Sequence, residues 1–196
     1  MFDNWLRLWK DLVLERSLPK RLTNPHPLVY TSIAFLTGLS VVVLVLVGNY
    51  HAALICWILS RFFDGLDGYV ARDTGRTTDI GAFLDIVGDF TIYSIIVVVL
   101  TWVGRTSEAV VLLGLLILAS FYVNAISWSF LSTLLTQRSL GDTTMPRGLV
   151  EGFETVIFYS LFLLFPQLLV ELFLIFFGLM AVTIVIRVGS AVKRLG

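Results

Sequence analysis

The sequence predicts an all-α integral membrane protein with six transmembrane helices, preceded by an amphipathic helix in the membrane interface. Three observations carry this. Of 196 residues, 57% are hydrophobic and 14% charged, and the mean hydropathy is +0.90, values that soluble domains rarely reach. The apolar residues gather into six runs, each near the roughly 20 residues that a span requires. Lysine and arginine, in turn, fall almost entirely on one side of these runs.

The amino-terminal piece MFDNWLRLWKDLVLERSL spaces Trp5, Leu8, Trp9, Leu12 and Val13 as one helical face, opposite Asp3, Arg7, Lys10, Asp11 and Glu15. That pattern suits a helix lying at headgroup depth or docked on the bundle, over residues 1–19 and ended by Pro19. The expected spans are Leu28–Val47, Ala52–Val70, Gly81–Val103, Ala109–Leu135, Leu149–Phe165 and Leu168–Ser190. Gly48–His51, Gly104–Glu108 and Pro166–Gln167 are short linkers, so consecutive helices should be antiparallel neighbours. One domain is expected over 1–196, with the six-helix bundle at 28–190.

Twelve cations fall on one side in this layout: Arg7, Lys10, Arg16, Lys20, Arg21, Arg72, Arg76, Arg138, Arg147, Arg187, Lys193 and Arg194. The other side holds Arg105 alone, and Arg61 lies within a span. The positive-inside rule then puts both termini and the Arg72–Ile80 loop in the cytoplasm. The first thirty residues show no apolar core of a cleavable signal peptide. The single cysteine, Cys56, lies in an apolar run and excludes both a disulfide framework and a thiolate zinc site.

The exception to the apolar pattern is DGLDGYVARDTGRTTDIGAFLDIVGD, Asp64 to Asp89. Asp64 and Asp67 are three residues apart and share a helix face; Asp85 and Asp89, four apart, share a face of the next helix. Four carboxylates within a bilayer cost on the order of 10 kcal/mol before their mutual repulsion. Protonation, arginine pairing or divalent cations must offset this. Arg61 should pair with an acid, but Arg61 and Arg72 cannot neutralise four. Carboxylate oxygens suit Mg²⁺ or Mn²⁺, and four of them can bridge two ions that clamp a phosphoryl displacement. Gly65, Gly68, Gly81 and Gly88 leave room for a ligand or a neighbouring helix.

The pattern D-x2-D-G-x2-A-R-x8-G-x3-D-x3-D, met here by Asp64, Asp67, Gly68, Ala71, Arg72, Gly81, Asp85 and Asp89, resembles the signature of the CDP-alcohol phosphotransferase family. The signature occupies 26 of 196 residues, and the wider layout of spans is also similar. The resemblance implies that Asp64, Asp67 and Asp85 hold two Mg²⁺ or Mn²⁺ ions, that Asp89 completes the second site, and that Asp89 is the general base. It implies a CDP-donor site at Gly68, Ala71 and Arg72, with Thr78 and Thr31 able to reach the same nucleotide. One departure is Leu28, where many relatives carry asparagine. The resemblance further implies a homodimer and no nucleic-acid partner.

The alcohol acceptor is expected near the fifth span, where Glu151 and Glu154 share a face and Arg138 and Arg147 precede them. The glutamates would suit an uncharged or amine-bearing alcohol, or they simply favour the helix dipole. In the fourth span, Asn124, with Tyr122, Ser127 and Trp128, lines a pocket or forms interhelical hydrogen bonds. The expected activity is transfer of a phosphatidyl or other phosphoalcohol group from a CDP-linked donor, CDP-diacylglycerol above all, to an alcohol, releasing CMP in phospholipid biosynthesis. A soluble CDP-alcohol with a lipid acceptor is the variant within the class. The competing classes are a carboxylate-based divalent-cation transporter and a Mg²⁺-dependent membrane prenyltransferase; neither releases CMP.

Overall fold

A computed structural model describes residues 25–137 and 149–195. The expected amino-terminal interfacial helix, Arg138 and Arg147 lie outside the described residues. Six α-helices occur where six spans are expected: α1 (Pro27–Leu46), α2 (Tyr50–Asp73), α3 (Asp79–Val103), α4 (Glu108–Gln137), α5 (Gly152–Leu164) and α6 (Leu169–Leu195). A single 3-10 turn, Pro166–Leu168, stands in place of the expected Pro166–Gln167 linker. No strand is present among the described residues.

Four stretches have the length and apolarity to cross a membrane: Pro27–Leu46, Asp79–Val103, Glu108–Gln137 and Pro166–Arg194. The other two of the six expected spans differ for physical reasons. Helix α2 carries Arg61, Asp64, Asp67, Arg72 and Asp73 from its midpoint onward, which lowers its apolarity. Helix α5 has 13 residues, about 20 Å of helix against a hydrocarbon core of roughly 30 Å. It starts three residues later than expected because Glu151 is its N-cap, and Pro166 follows its end.

The helix ends follow local chemistry. Pro27 sits at the first position of α1, where its missing N–H costs nothing, after His26, whose Nδ1 accepts from Leu28 N. Asn49 caps α2 by accepting from Ala52 N at 3.1 Å. At the other end of α2, Gly75 takes φ +65° and Arg76 N donates to Ala71 O at 2.8 Å. That is the left-handed glycine exit common at helix C-termini, and it turns the chain toward α3.

By its contacts the chain divides into two compact units, one up to Ile96 and one from Val97. In the first, α1 and α2 run antiparallel, as Ser60 bonds Ala34 O and Thr31 bonds Asp67. Helix α3 meets α2 antiparallel through Arg61 and Asp89, and approaches α1 where Gly38 faces Ile92 and Gly88 faces Phe35. A Cβ at Gly38 would lie 3.0 Å from Ile92, so glycine sets this close packing.

The second unit packs on aromatic rings. Phe162 stands 5.0 Å from Phe173 and 5.6 Å from Phe176, all fully buried. The phenylalanine-rich carboxy-terminal half is therefore partly core, while Leu174, Ile175 and Val185 stay exposed, as a lipid-facing surface requires. Thr183 of α6 accepts from Leu149 N and Val150 N, which docks the segment leading into α5. Gly114 in α4 is equally constrained: a Cβ there would lie 2.0 Å from Thr101 Oγ1. Gly114→Ala is expected to destabilise by about 1–3 kcal/mol, the usual cost of overpacking. It should lower the thermal midpoint in detergent, and Thr101→Ala should restore part of the loss.

Candidate functional site

All four signature aspartates lie in the first unit, on the facing sides of α2 and α3. The carboxyls of Asp64 and Asp85 are within hydrogen-bonding reach of each other. Asp67 is 6% exposed and receives the Thr31 hydroxyl at 2.6 Å. Asp89 Oδ1 accepts from Arg61 Nη1 at 2.5 Å, and the same nitrogen is 3.7 Å from Asp64. Tyr93, one turn beyond Asp89, donates its hydroxyl to Asp89 Oδ2 at 3.4 Å.

Among the described residues, no three His, Cys, Asp or Glu side chains converge closely enough to hold an ion as they stand. The geometry gives the reason: Arg61 draws off Asp89, and Thr31 draws off Asp67. The donor set nonetheless fits a hard divalent cation in kind. Four carboxylates face one another across two helices, two of them in contact, and every one of these ligands is an oxygen.

Two cavities flank this acidic centre, and Asp85 and Thr31 line both. The first, about 470 Å³, is bounded by Arg61, Asp64 and Asp89 and otherwise by apolar groups including Leu28, Phe35, Leu36 and Ile92. The second, about 270 Å³, is bounded by Asp67, Gly68, Ala71, Arg72, Thr78 and Gly81. All five positions expected at the donor site thus border one cavity, together with His26, Arg76 and Thr77.

Local packing explains why these residue types serve there. A Cβ at Gly68 would lie 3.1 Å from Arg72 Nη1; the bare backbone lets the guanidinium lie across it. Thr78 Oγ1 accepts from Gly81 N at 3.1 Å, so it caps α3 while bordering the cavity. Leu28 lines both cavities.

Of the expected acceptor residues, Glu151, Glu154 and Asn124 lie among the described ones. Glu151 N donates to Glu154 Oε2 at 3.1 Å, one half of a capping box. Asn124 accepts from Arg187 through both its backbone and its side-chain oxygen, so interhelical hydrogen bonding describes it. Ser127 bonds back to its own helix, and Tyr122 and Trp128 are exposed. Arg187, counted from sequence among the cytoplasmic-side charges, is instead 6% exposed within α6, with the charge of Glu151 acting on it.

Sequence reasoning missed contacts of three residues at the acidic centre. Thr31 was expected at the nucleotide, yet it also bonds Asp67. Trp57 and Tyr93 were not singled out at all, although each stands four residues from a charged group, Arg61 or Asp89. An aromatic ring one turn from an intramembrane charge was the available signal.

Residues 24–189 match the model of the family described as CDP-alcohol phosphatidyltransferase. The chain is also similar to the inner membrane protein YnjF of Escherichia coli (strain K12), at 31% identity over 167 residues, which cover 82% of this chain and 80% of that protein. No solved structure matches.

The Thr31–Asp67 bond can be tested by itself. Thr31→Val leaves a buried carboxylate without its hydroxyl donor and should cost about 1.5–3 kcal/mol, the worth of a hydrogen bond to a charged group. Thermal unfolding in detergent would register this, and Thr31→Ser should retain most of the stability.

Proposed function

Since the chain belongs to the CDP-alcohol phosphatidyltransferase family and is a multi-pass membrane transferase, we propose that it moves a phosphatidyl group from CDP-diacylglycerol to an alcohol and releases CMP. The observation that carries this is the position of the acidic centre between two unlike cavities. The smaller one holds Arg72, Gly68, Ala71 and Thr78 and suits the CDP portion. The larger one begins at Asp64, Asp85 and Asp89 and continues along leucine, isoleucine and phenylalanine side chains. Such a wall accommodates acyl chains, and a water-soluble CDP-alcohol has no need of it.

In the proposed reaction Arg72 pairs with the diphosphate, and Gly68 and Ala71 leave the backbone open beside it. Asp89 takes the proton from the acceptor hydroxyl. The oxygen so freed forms a bond to the phosphorus that carries the diacylglycerol, the phosphorus–oxygen bond to CMP breaks, and CMP departs. Family members generally depend on a divalent metal. Asp64, Asp67, Asp85 and Asp89 are the residues that would hold two Mg²⁺ or Mn²⁺ ions. When bound, such ions neutralise the pyrophosphate and the leaving group's charge. The remaining work is positioning and exclusion of water, which α1–α3 supply. The excess of cations on the Arg72 side puts this centre at the cytoplasmic face, with both termini there. A homodimer in phospholipid biosynthesis completes the reading.

Purified protein with Mn²⁺ or Mg²⁺, CDP-diacylglycerol and a panel of alcohols should release CMP with one acceptor class; no release with any of them would sink the reading. Asp89→Asn is expected to lower turnover by about 10²–10⁴-fold, the usual contribution of a general base. Arg72→Ala should raise the KM for the CDP donor roughly tenfold or more, as loss of a charge-assisted bond implies. An unchanged KM would remove Arg72 from the nucleotide site.

A further inference from the structure

Arg61 is held more completely than an ordinary ion pair requires. Its side chain is 10% exposed. Its guanidinium carbon lies 4.9 Å from the centre of the Trp57 ring and 5.3 Å from that of Tyr93, and those rings meet edge to face at 5.9 Å. Nη2 donates to Ser60 Oγ at 3.1 Å, and Ser60 in turn donates to Ala34 O of α1. Nη1 serves Asp89 and the Tyr93 hydroxyl. Nε is buried with no hydrogen-bond partner, so charge and ring contact hold this group in place, not full satisfaction of its donors.

We propose that Arg61 is the resident counter-ion of the acidic centre, occupying Asp89 while no metal is present and yielding Asp89 to a divalent cation when one arrives. This rests on the metal-binding role given above to Asp89. Both Asp89 oxygens are engaged, Oδ1 by Arg61 and Oδ2 by Tyr93. An incoming ion must therefore take a position that the guanidinium already fills, and the two compete. Arg61 has somewhere to remain once displaced, because its contacts with Trp57 and Ser60 involve no acid. The device keeps part of the acidic cluster neutralised inside apolar helices before metal is loaded, where uncompensated charge is costly. It also lowers apparent metal affinity, since binding must first break an existing pair.

The test is Mn²⁺ titration of the full-length protein in detergent, following the free-ion electron paramagnetic resonance signal, alongside thermal unfolding in EDTA and in saturating Mn²⁺. Arg61→Gln should bind Mn²⁺ on the order of tenfold tighter at its weaker site, a modest figure for removing a unit charge at contact distance. Its thermal midpoint should fall in EDTA and recover in Mn²⁺, while Arg61→Lys keeps the charge and stays near the parent affinity. Equal or weaker Mn²⁺ binding by Arg61→Gln, or the same stability loss with and without Mn²⁺, overturns the proposal and leaves Arg61 a packing residue. Should Arg61→Gln fail to fold under either condition, Trp57→Leu decides: a loosened cation predicts tighter Mn²⁺ binding, and unchanged binding refutes it. A parent protein that releases CMP and binds Mn²⁺, with unaltered variants, defeats this inference alone. A parent that binds no Mn²⁺ defeats the metal-dependent reading as well.

Discussion

Negative charge inside apolar helices is the constraint around which the first unit is organised. Each carboxylate at bilayer depth costs about 2.5–3.5 kcal/mol, and α2 and α3 bring four of them together. The structure meets that cost by local compensation. Arg61 neutralises Asp89 and stands near Asp64, Thr31 donates to Asp67, and Asp64 and Asp85 lean on each other.

That compensation fixes the helix register. Arg61 reaches Asp89 only if α2 and α3 run antiparallel with those residues level, and Thr31 reaches Asp67 only with α1 alongside at the matching height. Glycines at 38 and 88 bring α3 close enough to α1 for this. The left-handed exit at Gly75 returns the chain so that Arg72, Arg76 and Thr78 gather at one end of the same centre. A polar cavity beside the acids and an apolar one leading away from them follow from this register. Together they give the acidic centre one approach lined by Arg72, Arg76 and Thr78 and another lined mainly by apolar side chains.

The second unit obeys a different rule. Its core is a set of interlocking phenylalanine and tyrosine rings, and the one charged side chain buried in it among the described residues, Arg187, bonds Asn124. This cation sits among residues expected at the acceptor site, yet its partner is a neighbouring helix. The glutamates at 151 and 154 likewise form the capping box that starts a helix.

Sequence alone determined the elements and the family: six apolar runs became six helices, and fixed gaps placed eight signature residues on two of them. Period and spacing are properties of a single helix, so they are legible in one dimension. Tertiary structure decided what each charge faces. Asp89 meets Arg61 between two aromatic rings, Thr31 turns to Asp67, and Asn124 turns to Arg187, because those pairings depend on how helices distant in sequence align. It also decided where α5 begins and ends, since Glu151 caps the helix and Pro166 follows its end, a matter of hydrogen bonds that hydropathy does not register.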